Sequence, residues 1–329
     1  MGRIALALMS WLCGIVLAFA QEPSGKLPII GWITPSTTES YQQSAPGSPG
    51  PRLLREMLAR HGLIDGKNMR LDMRLAEGRL DQLPGLAEEL VREGAAVILA
   101  YGEAAGRAAQ AATKTIPIVC VGDDLVDSGL AASLAKPGSN MTGVSILATE
   151  LDAKKIEVLK ELLPDAKRFG VLNDPATSGR ERPQRIADIA RRLGIELQTI
   201  DIRGPDDLQP AFQALRTGRA EGVNIVSSAM FNGLRRRLGE LSLAANIPAI
   251  CQFRNMVEAG CLASYGITIP NLYALSADQI ARLLNGAKPP DLPVIQPDKF
   301  ELIISEKTAK AMGITVSPML LGRADEVIE

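Results

Sequence analysis

Few side chains in this sequence could carry out covalent chemistry. The single histidine, His61, ends an amphipathic stretch just before Gly62. A Ser-His-Asp relay would have to use it, and it lies at the wrong end of its helix for a site at strand tips. The four cysteines, Cys13, Cys120, Cys251 and Cys261, include no Cys-x-x-Cys pair, so a zinc site lacks its usual ligands. Cys120 and Cys251 sit in apolar, strand-like runs and read as buried thiols. A Cys251–Cys261 disulfide is the alternative in an oxidising compartment. Thiols on both walls of a cleft would instead suit a two-cysteine racemase. Asp123 and Asp124 are adjacent acids that could hold a cation, a weak signal on its own. No G-x-G-x-x-G or G-x-x-x-x-G-K-[ST] follows a strand, which removes dinucleotide and P-loop chemistry. The chemistry that remains is non-covalent: the residues fit a binding protein, not an enzyme, with no cofactor and no metal.

Binding residues need elements to hold them. Strand-like runs at Pro28–Ile33, Ala96–Ala100, Ile116–Val121, Arg168–Leu172, Gly222–Ser227 and Pro248–Cys251 alternate with helical patterns. The helical stretches include Leu53–His61, Leu80–Glu93, Leu151–Leu163 and Arg185–Leu193. In Leu151–Leu163, apolar residues at 151, 156, 159, 162 and 163 form one face, and Lys154, Lys155, Glu157 and Lys160 form the other. Alternation of this kind predicts βαβ units around parallel sheets.

The pattern is also written twice. LARHGL followed by LDMRLAEGRLDQLPGLAEELVREGAAVILAYG corresponds to ARRLGI followed by LQTIDIRGPDDLQPAFQALRTGRAEGVNIVSSA. Each copy predicts a helix ending at glycine (Gly62, Gly194), a strand, a polar turn, a second helix and a second strand. Ile116-Pro117 and Ile247-Pro248 continue the correspondence. A single duplication of this size predicts an α/β protein of two Rossmann-like lobes with parallel sheets. After the helical stretch Leu272–Leu284, the segment Ala287–Pro297 and FELIISEKTAKAMGI predict the chain crossing again between lobes, which makes a multi-strand hinge. The expected division is a signal segment at 1–20, lobe I at 27–146, lobe II at 147–268, and a return helix and crossover tail at 269–329 contributing to both.

Open parallel sheets bind ligands at the carboxyl ends of their strands. Two lobes with those ends facing each other enclose a cleft. The residues expected to line it are Thr34, Ser36, Tyr101, Gly102, Glu103, Gly122 and Asp123 from the first lobe. Asn173, Ser227, Ser228, Phe253 and Tyr265 come from the second, with Tyr41 and Phe231 just beyond strand ends. Ser, Asn, Asp and Gly also occur at such turns for backbone reasons alone. The aromatics sharpen the reading, because aromatic walls with a few polar groups suit a small, partly apolar ligand.

Together, AEGRLDQLPGLAEELV (76–91), TIPIVCVGDD (115–124), GLAASLAKPGSNMTGVS (129–145), LDAKKIEVLKELLP (151–164), NMVEAG (255–260), SYG (264–266) and KFELIISEKTAKAMGI (299–314) carry a family resemblance. The chain resembles the ABC transporter substrate-binding protein family that includes tryptophan- and tyrosine-binding members, from about Leu27 to Glu329. The resemblance implies a type I periplasmic binding fold, a small-molecule ligand, and ABC permease and ATPase subunits as partners at the inner membrane. Two departures stand out. Gly102 is followed by Glu103 and Ala104 where relatives commonly carry a hydroxyl residue and proline, and Ser227-Ser228-Ala229-Met230-Phe231 replaces a proline-containing turn. An acid in place of a hydroxyl favours a ligand with an amine or hydroxyl near this wall.

Composition agrees. A length of 329 residues suits two domains, and a net charge of −1 gives no basic field for nucleic acid. Arg3, the apolar run Ile4–Phe19 and Ala18-Phe19-Ala20 have the form of a secretory signal, predicting a periplasmic protein that starts near Gln21. The alternatives to an importer component are a ligand-sensing protein coupled to a membrane receptor and the racemase. A sugar-repressor-like regulator would need a helix-turn-helix where this chain carries an export signal.

Overall fold

Leu53, Leu54, Met57 and Leu58 fall on one face of the helix α1 (Gly50–Arg60) and are buried. Each such side chain is worth about 1.5–3 kcal/mol when taken out of water. The computed structural model describes residues 26–38, 50–177 and 182–329, and the elements below are those of the described residues.

The first lobe runs β1 (Ile29–Thr34), α1, β2 (Arg70–Leu75), α2 (Leu83–Arg92), β3 (Ala95–Tyr101), α3 (Glu103–Ala112), β4 (Ile118–Gly122) and β5 (Met141–Ser145). Its sheet is parallel, in the order β2-β1-β3-β4-β5. β1 and β4 are buried along their whole length, as expected for strands covered by helices on both faces. Gly143 in β5 has φ of +150°, and a Cβ there would lie 1.8 Å from the Cys120 carbonyl oxygen, so only glycine lets β5 approach β4.

The second lobe continues with α4 (Ala148–Leu162), β6 (Arg168–Asn173), α5 (Arg182–Arg192), β7 (Glu196–Asp201), α6 (Leu208–Thr217), β8 (Gly222–Ile225), α7 (Ala229–Gly233), α8 (Arg235–Ala245), β9 (Ala249–Cys251), α9 (Arg254–Glu258) and β10 (Ala263–Gly266). The chain then forms α10 (Ile269–Leu284), β11 (Glu301–Ser305), α11 (Glu306–Ala311), α12 (Pro318–Arg323) and β12 (Glu326–Ile328). The second sheet has the order β12-β11-β10-β9-β8-β6-β7 and is parallel except where β11 runs antiparallel to β10.

The chain passes between the sheets three times. It leaves β5 for α4, which packs on β8 and β10. It leaves β10 for α10, which packs against α1 and the first sheet. It returns through Ile295, whose N–H donates to the Gly143 carbonyl while its own carbonyl accepts from Ser145 N–H, and then enters β11. These passes are the hinge of a two-lobed α/β protein.

Cys251 and Cys261 are joined in a disulfide, while Cys120 is a buried free thiol. This corrects the reading of Cys251 as a buried thiol. The bond closes a short loop over α9 between adjacent strands, because β9 and β10 pair side by side. Replacing Cys251 and Cys261 by Ser should lower unfolding free energy by about 2–3 kcal/mol, from the loop-closure entropy of this ten-residue separation. Thermal or denaturant unfolding of the double variant checks it, and unchanged stability would show that the bond adds nothing.

Candidate functional site

The strand tips of the two lobes face one another. In the first lobe β1 ends in Thr34, whose hydroxyl donates to Ser36 Oγ at 3.1 Å. β3 ends in Tyr101 and passes through Gly102 (φ +95°) into α3, and β4 ends in Gly122, with Asp123 next in the chain. Glu103, the first residue of α3, turns toward the β4 tip. Its Oε1 accepts the backbone N–H of Asp124 at 3.1 Å and that of Asp123. Glu103 therefore holds the turn that presents Asp123.

In the second lobe, β8 ends at Ile225 and is followed by Ser227 and Ser228. Ser228 caps α7, its Oγ accepting from Met230 and Phe231 N–H and donating to Asp174 Oδ2 at 2.6 Å. Asp152 and Lys155 on α4 stand one turn apart and are fully buried. Lys155 Nζ pairs with Asp152 Oδ1 at 2.6 Å and donates to the Ile225 carbonyl at 2.6 Å, and Asp152 accepts from Ser227 N–H at 3.1 Å. Arg182 opens α5 on the same face as Ile186 and Ala190. Its Nη1 donates to the Ser227 carbonyl at 3.1 Å and its Nε lies 3.5 Å from Asp152 Oδ2.

Asp123 is where the lobes meet. Arg182 Nη2 lies 2.6 Å from Asp123 Oδ2, and Ser227 Oγ donates to Asp123 Oδ1 at 2.7 Å. Around this bridge the walls are in contact: a Cβ on Gly102 would lie 3.0 Å from that of Ala229, and one on Gly233 would lie 3.0 Å from Ser36 Cα. At the rim, Arg107 donates to the Ala176 carbonyl. Among the described residues the tips are closed on one another. The cavity that the described residues of both tips line has a volume of about 10 Å³, room for one water at most. Tyr101, Gly102, Val121, Asp123, Ile146, Ser227, Ser228, Ala229 and Phe253 line it.

Burial sets the electrostatics. It raises the Asp123 carboxyl above its usual value, against the opposing pull of Arg182. Burial works against the Arg182 charge, but Asp123, Asp152 and Glu103 more than offset it, so the guanidinium stays charged. Burial lowers Lys155 and raises Asp174. Glu103 is pushed up to about 8, first by burial and then by the Asp123 charge.

The expected site residues divide accordingly. Tyr101, Gly102, Asp123, Ser227, Ser228 and Phe253 meet at the cavity. Thr34, Ser36, Glu103 and Gly122 are buried at the first lobe's tips without lining it. Asn173 donates to Asp201 Oδ1 at 2.8 Å between β6 and β7. Phe231 is buried in the core within α7. Tyr265 lies within β10, packed on the Phe300 ring with centroids 6.4 Å apart. Tyr41 lies outside the described residues. Asp123 is engaged by Arg182 and Ser227 and Asp124 caps its own turn by accepting from Val126 and Asp127 N–H, so the pair is not arranged around a shared cation. The racemase reading falls, because Cys251 is in a disulfide and Cys120 is a buried thiol pushed up by burial.

Sequence reasoning missed Arg182, Asp152 and Lys155. Lys155 was assigned to the solvent face of its helix and is completely buried. A signal existed for Arg182: its spacing to Ile186 and Ala190 puts it on the apolar face.

Residues 53–328 match the family described as ABC transporter substrate binding protein. The chain belongs to that family. It is similar to the tyrosine-binding protein of Clostridioides difficile (strain R20291), 28% identical over 255 residues, which are 77% of this chain and 73% of that protein. Among solved structures, a conserved domain protein from Vibrio cholerae superposes with a TM-score of 0.82 at 26% identity, covering 92% of this chain and 100% of that one. The ABC domain from Streptococcus pneumonia in complex with L-Trp superposes at 0.79, with 23% identity, 92% of this chain and 100% of that chain covered, which speaks for the fold. The substrate-binding family has the type I periplasmic binding fold. Among the described residues no helix is long and apolar enough to cross a membrane.

The Glu103 carboxyl has a pH consequence. Its acid form is favoured in the folded protein, so folding stability is fully present below the unfolded value near 4.5 and declines as pH rises toward about 8. The neighbouring Asp123, also raised, adds to the same trend. Glu103→Gln should flatten the decline between about pH 5 and 8, removing a slope on the order of 1 kcal/mol per pH unit. Denaturant unfolding across that range measures it, and parallel curves for both proteins would contradict the assignment.

Proposed function

We propose that this protein is the solute-capturing component of an ABC importer, closing its lobes over a small amino-acid-like ligand. The observation that carries this reading is the cross-lobe bridge of Asp123 to Ser227 and Arg182, which marks the strand tips as the surfaces that come together. Ligand contacts are assigned to Tyr101, Gly102, Asp123, Ser227, Ser228 and Phe253, with Thr34, Ser36, Glu103 and Gly122 supporting the first wall. Tyr101 and Phe253 supply the apolar, aromatic part of the lining. The similarity to a tyrosine-binding protein supports an aromatic amino acid as ligand.

Capture needs no covalent step. One lobe takes the ligand, closure removes it from water, and the closed outer surface is what a permease reads. Export through the N-terminal signal-like segment places the protein in the periplasm, where the Cys251–Cys261 disulfide is at home. A ligand that binds only the folded protein stabilises it by about 2.7 kcal/mol at 100-fold over its Kd. A thermal-shift screen of the mature protein against the natural amino acids, aromatic acids and amines should find a compound that raises the melting temperature by several degrees. No stabiliser anywhere in such a panel would overturn the proposal.

A further inference from the structure

Among the described residues the cavity between the tips has room for one water at most, so a solute that reaches Asp123 and Arg182 there does so by parting the tips. Parting separates Asp123 from Arg182, and each stays with its own wall. Asp123 is held in the first lobe through its N–H on Glu103. Arg182 is held in the second by the Ser227 carbonyl and Asp152. Among the described residues of this wall, Asp152 already pairs with Lys155 at 2.6 Å and Asp174 accepts from Ser228 at 2.6 Å, so the shortest ion pair Arg182 makes is the one across the cleft, to Asp123. The Arg182 side chain is 1% exposed and that of Asp123 is 6% exposed in the closed molecule.

Reclosing over a ligand takes both charges out of water again, and a buried charge without a partner is strongly destabilising. A neutral ligand would leave two unpaired charges and a singly charged ligand one. A zwitterion answers both. We infer that Arg182 and Asp123 set the ligand's charge pattern: a zwitterionic head inserts into their ion pair, its anionic group on Arg182 of the second lobe and its cationic group on Asp123 of the first. The rest of the ligand then lies along Tyr101 and Phe253. Asp123 thus stands in, in the empty closed form, for the ligand's carboxylate on Arg182. This assignment rests on the proposed capture function and adds the residues that select the head group and its orientation.

The test is calorimetric titration of the mature protein with L-tyrosine, L-tryptophan, tyramine and 3-(4-hydroxyphenyl)propionate, alongside a panel of natural amino acids and betaines. Wild type should prefer the zwitterion over each singly charged analogue by on the order of 100-fold. Arg182→Met should erase the preference for tyrosine over tyramine, Asp123→Asn should erase that over the acid, and Arg182→Lys should restore part of the former. An unchanged tyrosine-to-tyramine ratio in Arg182→Met, or a singly charged analogue that binds wild type as tightly as tyrosine, overturns the inference. Circular dichroism checks that the variants fold; should Arg182→Met not fold, the wild-type analogue series decides. If both aromatic amino acids fail but another zwitterion binds with this pattern, the aromatic assignment falls and this inference stands. If only singly charged compounds bind, capture stands and this inference falls. If nothing binds, both fall.

Discussion

A buried ion pair between the strand tips of two sheets is the constraint around which this molecule is arranged. Within one core such a pair adds little, because the cost of removing both charges from water consumes the attraction. Between two sets of strand tips the same arithmetic holds, and in the proposed capture cycle a ligand with matching charges would take the place of this contact. The rest of the site serves that contact. Glu103 sets the turn that carries Asp123, and Asp152 with Lys155 sets the β8 tip against which Arg182 rests. Ser227 touches both sides, its carbonyl on Arg182 and its hydroxyl on Asp123.

Three passes of chain join the two sheets, a connection that favours rotation over sliding, so in the proposed closure the same tips would meet. The close approaches of Gly102 to Ala229 and of Gly233 to Ser36 show how little side chain the closing surfaces tolerate. Residues beyond the hinge add rigidity of a different kind. Trp32 and Tyr273 pack edge to face at 5.7 Å, and Tyr273 also lies against Tyr101, which ties one wall of the cavity to the return helix α10.

Much of the architecture was legible in the residues. The offset repeat built on Gly62 and Gly194 implied two like lobes, and the small or polar residues closing each apolar run located the tips, Asp123 and Ser227 among them. Three things were not legible. Phe231 follows a strand in sequence, yet α7 folds its ring back into the core, because distance along the chain does not report which way a short helix turns. Asn173 is at a tip but spends its amide on the neighbouring strand. Lys155 was placed on the polar face of its helix and Arg182 was not singled out; charged side chains are seldom fully buried without partners, and theirs, Asp152 and Asp123, come from a nearby helical turn and from the other lobe. The Cys251–Cys261 bond was named from the residues only as the alternative to buried thiols, since strand adjacency decides it and spacing does not.

The central claim is that Asp123 and Arg182 hold the lobes together across the cleft. It is tested most directly by pulsed electron spin resonance between spin labels at Glu88 on α2 and Gln213 on α6, both exposed. The account predicts a short distance in the ligand-free protein that lengthens and broadens in Asp123→Asn and in Arg182→Met. Distance distributions that are the same in the parent and in both variants would contradict it.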